Sequence, residues 1–147
     1  MAKKQTSIIA KHIQLLKLDV VKQKVDATAY NKAKEPKLQL GHRMLHNLKD
    51  ERIKMELVFS FESDNNNEVI HFQFDFHFHI EQLSEHYELN EDKHPIFSGQ
   101  LVATLIGICY STARGVIFEK LKNAGVNDVL VPVIAPQDLM QSNGSKK

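Results

Sequence analysis

Strict alternation of apolar and polar residues over two neighbouring segments constrains this chain more than any other feature of its sequence. Every second residue is apolar from Ile53 to Phe61, and again from Ile70 to Ile80, where four of the apolar residues are phenylalanines. The polar run DNNN at residues 64–67 is typical of a turn. A two-residue period on both sides of a turn predicts an antiparallel β-hairpin with one apolar and one polar face.

The strand register follows from the need to keep both apolar rows on one face. Odd-numbered residues of the first strand must then oppose even-numbered residues of the second, because a slip of one residue would turn the phenylalanine row into water. Phe59 is therefore expected opposite Phe72 or Phe74, and the sequence does not choose between them. A core role for the phenylalanine row is favoured over an exposed peptide-binding stripe, since phenylalanine is usually buried.

A long helix is predicted over residues 100–124, with Ser98 as its N-cap and Gly125 after its end. Its length of about 37 Å matches the length of about 36 Å of the second hairpin strand. The helix is therefore expected to cover the phenylalanine-bearing face. Apolar residues recur along it at spacings of three and four: Val102, Ile106, Cys109, Ala113, Ile117 and Leu121.

The remaining segments complete the predicted fold. Residues 8–25 are predicted to form one long strand with a bulge at Leu15-Leu16 or Val20-Val21, where the alternation breaks. Residues 37–50 are predicted to form a short strand followed by a crossover loop, and residues 126–140 an extended segment ending in a short helical turn.

These elements predict an α+β fold, in which a four-stranded antiparallel sheet carries one long helix and a short C-terminal helix on one face. A single domain is expected over residues 8–140, with flexible ends at residues 1–7 and 141–147.

Composition narrows the functional classes. The net charge of +1 provides no basic field for nucleic acid, and the single cysteine fits a reducing compartment. Residues 1–10 have no apolar signal region, and the apolar run at residues 101–110 is shorter than the roughly 20 residues that span a bilayer. We therefore expect a cytoplasmic protein without membrane insertion.

The order of these elements resembles the SecB family of export chaperones. Its members carry an aromatic-x-Arg on the long helix, a glycine that ends the helix, and a Leu-x-Pro-Val/Ile segment. Here Arg114 lies on the predicted helix and Gly125 ends it. Similar residues follow: Val129, Leu130, Pro132, Val133, Ile134, Leu139 and Met140. Weaker similarity covers residues 13–19 and 37–61.

The resemblance implies an ATP-independent holdase that binds exposed apolar stretches of unfolded polypeptides. A translocase motor in protein export and a toxin–antitoxin pair are the partners that it suggests. The sequence departs from the family in residues 105–110, which lack a Cys-Pro-Asn motif, and at Thr112, which replaces the aromatic residue. Family members are acidic and dock the SecA motor through that charge, whereas this chain is nearly neutral.

Two apolar segments in irregular or short structure are candidates for client binding, residues 37–48 and 129–140. Leu and Met side chains adapt their shape, which suits promiscuous apolar binding. Packing beneath loops is the alternative, and the resemblance favours binding. The candidate client-binding residues are Leu38, Leu40, Met44, Leu45, Leu48, Val129, Leu130, Val133, Ile134, Leu139 and Met140.

The first half of the predicted helix is apolar nearly all round, and its middle is rich in small residues. A helix buried on more than one side needs a second partner, so we expect a homodimer or homotetramer. The candidate interface residues are Leu105, Ile108, Ser111, Thr112 and Gly115.

The sequence also leaves alternatives to a holdase chaperone. His71, His77 and His79 share one strand face and are candidate metal ligands, but a solvated outer face is the default. A hot-dog thioesterase also pairs a long helix with an antiparallel sheet, and a toxin–antitoxin-associated interaction module is a third option. The sequence has no nucleophile elbow, phosphate-binding glycine loop or zinc-type cysteine cluster. We therefore expect no catalytic residue, metal or cofactor.

Overall fold

The computed structural model describes residues 7–126 and residue 138, and these residues form an α+β fold around one antiparallel sheet. A 3₁₀ turn (Ala10–His12) precedes the first strand, and a second (Leu83–His86) follows the fourth. The long strands and the helices are β1 (Ile13–Val25), α1 (Ala27–Lys32), β2 (Lys37–Asn47), β3 (Arg52–Glu62), β4 (Glu68–Ile80) and α2 (Gly99–Asn123). A small two-stranded sheet of β5 (Tyr87–Leu89) and β6 (Pro95–Phe97) lies between β4 and α2 in the chain.

The large sheet has the strand order β1-β4-β3-β2, so the predicted hairpin is central and β1 and β2 are the edges. Phe59 lies opposite Phe72 in the β3–β4 ladder, which decides between the two registers that the sequence allows. Directly opposed residues of an antiparallel ladder share a face. The odd-numbered residues of β3 and the even-numbered residues of β4 therefore form a single apolar inner face, as predicted.

Helix α2 lies across the two central strands, β3 and β4. The phenylalanines of β4 (Phe72, Phe74, Phe76 and Phe78) are each 0% exposed, so this row is core and not an open peptide-binding stripe. Burying each such side chain contributes about 1.5–3 kcal/mol. The inner stripe of α2 consists of Leu101, Leu105, Ile106, Cys109, Tyr110, Ala113, Ile117 and Leu121.

Both ends of α2 follow the sequence signals. The Ser98 hydroxyl accepts a hydrogen bond from the backbone N–H of Leu101 at 3.2 Å, which confirms the predicted N-cap. The helix ends at Asn123, and Gly125 follows it with φ of +92°, a conformation that side chains disfavour. The Asn31 side-chain amide of α1 donates to the carbonyl of Gly125 at 3.0 Å. The first connection of the chain is thereby tied to the end of the long helix.

Strand β1 contains both of the bulges that the sequence offered as alternatives. The β1–β4 register shifts between Leu15 and Lys17 and again between Val20 and Lys22. Each shift falls at a pair of consecutive apolar residues, because an extra residue is needed there to restore the two-residue period. The strand begins at Ile13 and not at Ile8, since residues 10–12 form a 3₁₀ turn.

The prediction of a short strand and a crossover loop over residues 37–50 is wrong. Strand β2 runs unbroken from Lys37 to Asn47, and each of its residues pairs with β3. In the sequence, Met44, Leu45 and Leu48 are spaced as on one side of a helical turn, which argued against a continuous strand. No helix forms there, because pairing with β3 satisfies the backbone of residues 37–47 and overrides this local preference. The turn to β3 follows at once, with Glu51 at φ of +57°.

Helix α1 and the β5–β6 sheet were not predicted. Helix α1 begins at Ala27 and overlaps residues 28–36, a polar stretch ending in a proline that is typical of a connection between strands. Asp26 caps the helix by accepting from the N–H of Ala29 at 3.0 Å, and the buried ring of Tyr30 meets Phe61 edge-on, with centroids 5.5 Å apart. The predicted short C-terminal helix and most of the flexible ends fall on residues outside the described part of the chain.

Helix α2 as a whole is long and apolar enough to cross a membrane by length and composition, with a mean hydropathy of 1.6 over 18 residues. The apolar run of residues 101–110 is too short to span a bilayer, but the whole helix is not, so length alone does not exclude membrane insertion. The core helix of a soluble protein passes the same test, and the inner stripe of α2 is buried against the sheet.

Candidate client-binding surface

The margin of the inner face along β2 holds most of the described client-binding candidates. Leu38, Leu40 and Met44 lie opposite Phe61, Phe59 and Met55 of β3, so they project from the inner face. All three are half-buried and pack against the core, as does Leu48 in the turn that follows. We call these four residues the β2 strip. They stay partly exposed because α2 lies across β3 and β4.

Leu45 does not belong to this surface. It lies opposite Lys54 in the β2–β3 ladder, which places it on the polar outer face, where 38% of it is exposed. Neighbouring residues of a strand point to opposite sides, so Met44 and Leu45 lie on opposite faces of the sheet. The predicted set from residues 37–48 is therefore divided between two faces.

Two histidines, His42 and His46, share the inner margin with the β2 strip, and neither is among the client-binding residues predicted from the sequence. His42 lies opposite Leu57 and His46 opposite Ile53. The imidazole of His46 contacts the ring of Phe97 in β6, with centroids 5.6 Å apart. Their spacing would have placed them there. Both histidines are at even-numbered positions, as are Leu38 and Leu40, so all four lie on one face if the segment is a single strand.

Strand β1 forms the opposite margin of the inner face and was also missed as a candidate. Leu15 and Val20 lie opposite Phe78 and Phe74, yet they are 42% and 39% exposed. Leu18, opposite Phe76, is half-buried. We call Leu15, Leu18 and Val20 the β1 strip. The pairs of consecutive apolar residues that mark the two bulges are the sequence signal for this strip, since a bulge on an edge strand leaves apolar side chains exposed to solvent.

The second predicted client-binding segment, with Val129, Leu130, Val133, Ile134, Leu139 and Met140, lies outside the described residues. Its assignment stays a prediction from the sequence.

The residues predicted for an oligomer interface do not all lie on one side of α2. Leu105 is 0% exposed and belongs to the inner stripe that packs on the sheet. Ile108 and Thr112 are half-buried, while Ser111 and Gly115 are exposed. Phe118 continues this outer side at helical spacing and is 52% exposed. We call Ile108, Ser111, Gly115 and Phe118 the outer face of α2.

The buried polar groups of α2 have no environment suited to nucleophilic chemistry. Burial strongly raises the pKa of the Cys109 thiol, which keeps it protonated and inert, as the sequence predicts. Burial also raises the pKa of the Tyr110 phenol, and the charge of Arg114 acts in the opposite direction. Arg114 itself is half-buried.

The histidines of the outer sheet face lie beside carboxylates. His71 lies 2.9 Å from Glu68, and His77 lies 3.7 Å from Asp19. The Ser60 hydroxyl and then His71 lower the pKa of Glu68 by hydrogen bonding to it. No group of three or more potential metal ligands occurs among the described residues.

The arrangement of a four-stranded antiparallel sheet, covered on one face by a long helix that follows its strands, is a SecB-like fold. A solved structure with this fold is the SecB-like chaperone Rv1957 of Mycobacterium tuberculosis, in complex with a ChAD peptide from the HigA1 antitoxin Rv1956. The match has a TM-score of 0.52 and 10% sequence identity, and covers 85% of this chain and 89% of that one. At this identity it shows the fold alone. No protein-family model and no curated protein matches the chain.

Proposed function

We propose that this protein is a SecB-like holdase chaperone that binds exposed apolar stretches of unfolded polypeptides without ATP. The observation that carries the proposal is the pair of apolar margins that the SecB-like fold leaves beside α2. The β2 strip is half-buried, and Leu15 and Val20 of the β1 strip are more than one-third exposed. The β2 strip packs against the core and still has surface to offer a client, and Leu15 and Val20 add apolar surface that solvent reaches.

The mechanism is burial of client side chains against these margins. Each Å² of apolar surface removed from water contributes about 25 cal/mol, so a few client residues suffice for weak and reversible binding. Met44 lies in the centre of the β2 strip, and its flexible thioether adapts to side chains of different shape. No nucleotide is required, because release follows when the client folds and buries the same side chains within itself.

A second copy of the chain is the proposed partner of the outer face of α2. Ser111 and Gly115 are small and exposed, which lets another helix approach closely, and Ile108 and Phe118 supply apolar contacts. A homodimer or homotetramer would present several client-binding margins at once, and this multivalency would raise avidity. We place this assembly in the cytoplasm.

The client itself is either a broad set of unfolded chains, as in protein export, or one defined segment. The second possibility has a specific observation behind it, since Rv1957 is bound to a peptide from an antitoxin. We therefore propose a toxin–antitoxin partner as the alternative to a translocase motor. A non-enzymatic role is favoured over a hot-dog thioesterase because α2 comes after all four strands of the large sheet.

The test is light scattering from a chemically unfolded, aggregation-prone client that is diluted into excess protein. We expect the wild type to suppress aggregation. Met44→Gln, a nearly isosteric change on the inner face, should weaken suppression several-fold, because a polar amide replaces the thioether that contacts the client.

Leu45→Gln is the matched control, one residue away on the outer face, and should suppress as the wild type does. Circular dichroism and thermal unfolding establish that both variants are folded. Unchanged aggregation with excess wild-type protein would refute the holdase function, and equal losses in the two variants would refute the β2 strip as its site.

A further inference from the structure

Strand β2 is one of the two edges of the large sheet, and it lacks two features that protect edge strands from pairing with other chains. Each of its residues pairs with β3, and there is neither a proline nor a register shift between residues 37 and 47. Prolines and bulges are common devices that keep an edge strand from pairing further. The other edge, β1, is interrupted by two bulges. Of the two edges, β2 is therefore the one better suited to accept an added strand.

The direction of the backbone groups in the sheet follows from two hydrogen bonds at the end of β4. The N–H of Ile80 donates to the carbonyl of Glu51 at 2.9 Å, and the N–H of Glu81 donates to the carbonyl of His12 at 2.9 Å. Backbone direction in an antiparallel ladder alternates from one residue to the next. The even-numbered residues of β4 therefore point their N–H and C=O groups toward β3, and the odd-numbered residues point theirs toward β1.

The same alternation determines which backbone groups of β2 face the open edge. The odd-numbered residues of β3 oppose the even-numbered residues of β4, so the backbone groups of the even-numbered residues of β3 point toward β2. The odd-numbered residues of β2 oppose these and pair with them. The even-numbered residues of β2 therefore point their N–H and C=O groups to the open edge. Leu38, Leu40 and Met44 are among them, so the same three residues supply backbone groups at the edge and apolar side chains in the β2 strip.

We propose that an extended segment of a client polypeptide binds as a fifth strand at the β2 edge. The inference rests on the proposed holdase function and names the kind of segment that the β2 strip receives. In strand addition, main-chain hydrogen bonds hold the segment and alternate side chains select it. A client residue paired with Leu38, Leu40 or Met44 places its side chain on the inner face, because directly opposed residues share a face. The preferred segment therefore has apolar residues at every second position and no proline at those positions.

An unfolded client fits this edge better than the β2 strand of a second copy does. Two copies of β2 paired antiparallel along their full length would place Leu38 opposite His46 and His42 opposite its own equivalent. Apolar side chains would then meet only where Leu40 opposes Met44. A client segment with an apolar residue at every second position provides one for each residue of the inner row, and its own backbone groups are not yet paired within a folded sheet.

The test compares two synthetic peptides of alternating Val and Ser that differ only in where the backbone is methylated. In one peptide, methyl groups replace the amide hydrogens of valines, which would face β2. In the other, they replace those of an equal number of serines, which would face away. We expect the serine-methylated peptide to bind and the valine-methylated peptide to bind at least about tenfold more weakly, because each main-chain hydrogen bond that is lost weakens binding several-fold. Titration followed by NMR measures both affinities.

Amide hydrogen exchange locates the added strand. The amides of Leu40 and Met44 should exchange quickly in the free protein and slowly with the serine-methylated peptide bound, whereas those of Gly41 and Arg43, which face β3, should be slow in both states. Protection on β1 instead, or protection of Leu40 and Met44 before any peptide is added, would overturn the proposal, the latter because the chain itself or a second copy would already occupy the edge.

Equal affinities of the two peptides, or binding of neither, would also overturn it. Suppression of client aggregation by the wild type in the light-scattering assay would then leave the holdase function standing without the added strand.

Discussion

The ring of Tyr110 on α2 stacks on the ring of Phe59 on β3, with centroids 5.3 Å apart and an angle of 17° between the planes. Stacked aromatic pairs contribute beyond their buried area, so this contact helps to hold the helix over the central strands. The edge strands on either side retain the partly exposed apolar residues on which the proposed function depends.

Loss of the Tyr110 ring should destabilise the whole fold. We expect Tyr110→Ala to lower the free energy of unfolding by about 3–5 kcal/mol, because it opens a cavity beneath α2 and removes the stack. Tyr110→Phe keeps the ring and should cost less than about 1.5 kcal/mol. Urea denaturation measures both values, and similar losses in the two variants would contradict a role for the stacked ring.

The same substitution can be compared at two phenylalanines that lie in different environments. Phe74 is 0% exposed in the core, whereas Phe118 is 52% exposed on the outer face of α2. Phe74→Ala should cost about 3–5 kcal/mol of unfolding free energy, and Phe118→Ala should change the stability of a single chain by less than about 0.5 kcal/mol.

If Phe118 lies between two copies, Phe118→Ala should instead weaken self-association, which sedimentation equilibrium detects. A large loss of monomer stability from Phe118→Ala would show that this ring is part of the core.

Replacing two different glycines by alanine should change the stability of the protein in opposite directions. Gly125 has φ of +92°, so Gly125→Ala is expected to destabilise the protein by about 1 kcal/mol through backbone strain. Gly115 lies inside α2, and a Cβ there meets no atom within 4 Å. Gly115→Ala should therefore stabilise the single chain by up to about 1 kcal/mol. Thermal unfolding of both variants checks the signs, and stabilisation by Gly125→Ala would contradict the helix ending described here.

Lowering the pH should remove the stability that the ionised Glu56 contributes on the outer face of the sheet. The Arg43 guanidinium, at 2.9 Å, and then Lys54 lower the pKa of this carboxyl by hydrogen bonding to it. A pKa lowered in the folded state contributes stability above the unfolded value of about 4.3, and the contribution is lost as the pH falls through the lowered value.

Glu56→Gln should therefore cost less than about 1 kcal/mol near neutral pH, because its partner Arg43 is largely exposed and solvent screens the ion pair. The difference from the wild type should disappear on acidification. Urea denaturation at a series of pH values measures it, with Glu62→Gln on the same strand as the control. A difference that is independent of pH would show that the ion pairs do not contribute.

The sequence was sufficient to predict those parts of the fold in which each group must be either buried or hydrogen-bonded. The face and parity of the Phe59 and Phe72 rows, both bulges in β1 and the Ser98 cap could all be predicted, because in each case the alternative leaves apolar or backbone groups in the wrong environment. The choice of Phe72 over Phe74 as the partner of Phe59 depends on the exact turn geometry, which the run of asparagines does not specify.

The candidate site was less predictable because it lies at the margins of the sheet. In β2, His42 and His46 occupy the inner face and Leu45 the outer face, which obscures the two-residue pattern. The helix does not fully cover this edge strand, so polar residues are tolerated on its inner face and apolar residues on its outer face. The pattern of apolar residues therefore does not predict the register of β2. The structure supplies it through the pairing with β3.

The central claim, that the chain assembles and binds unfolded polypeptides through apolar surface, is tested most directly by its mass in solution with and without an unfolded client. Size-exclusion chromatography coupled to light scattering gives both masses. We predict an oligomer whose mass increases by that of the bound client, and no increase with the same client in its native state. A monomer whose mass is unchanged by the unfolded client would contradict the claim.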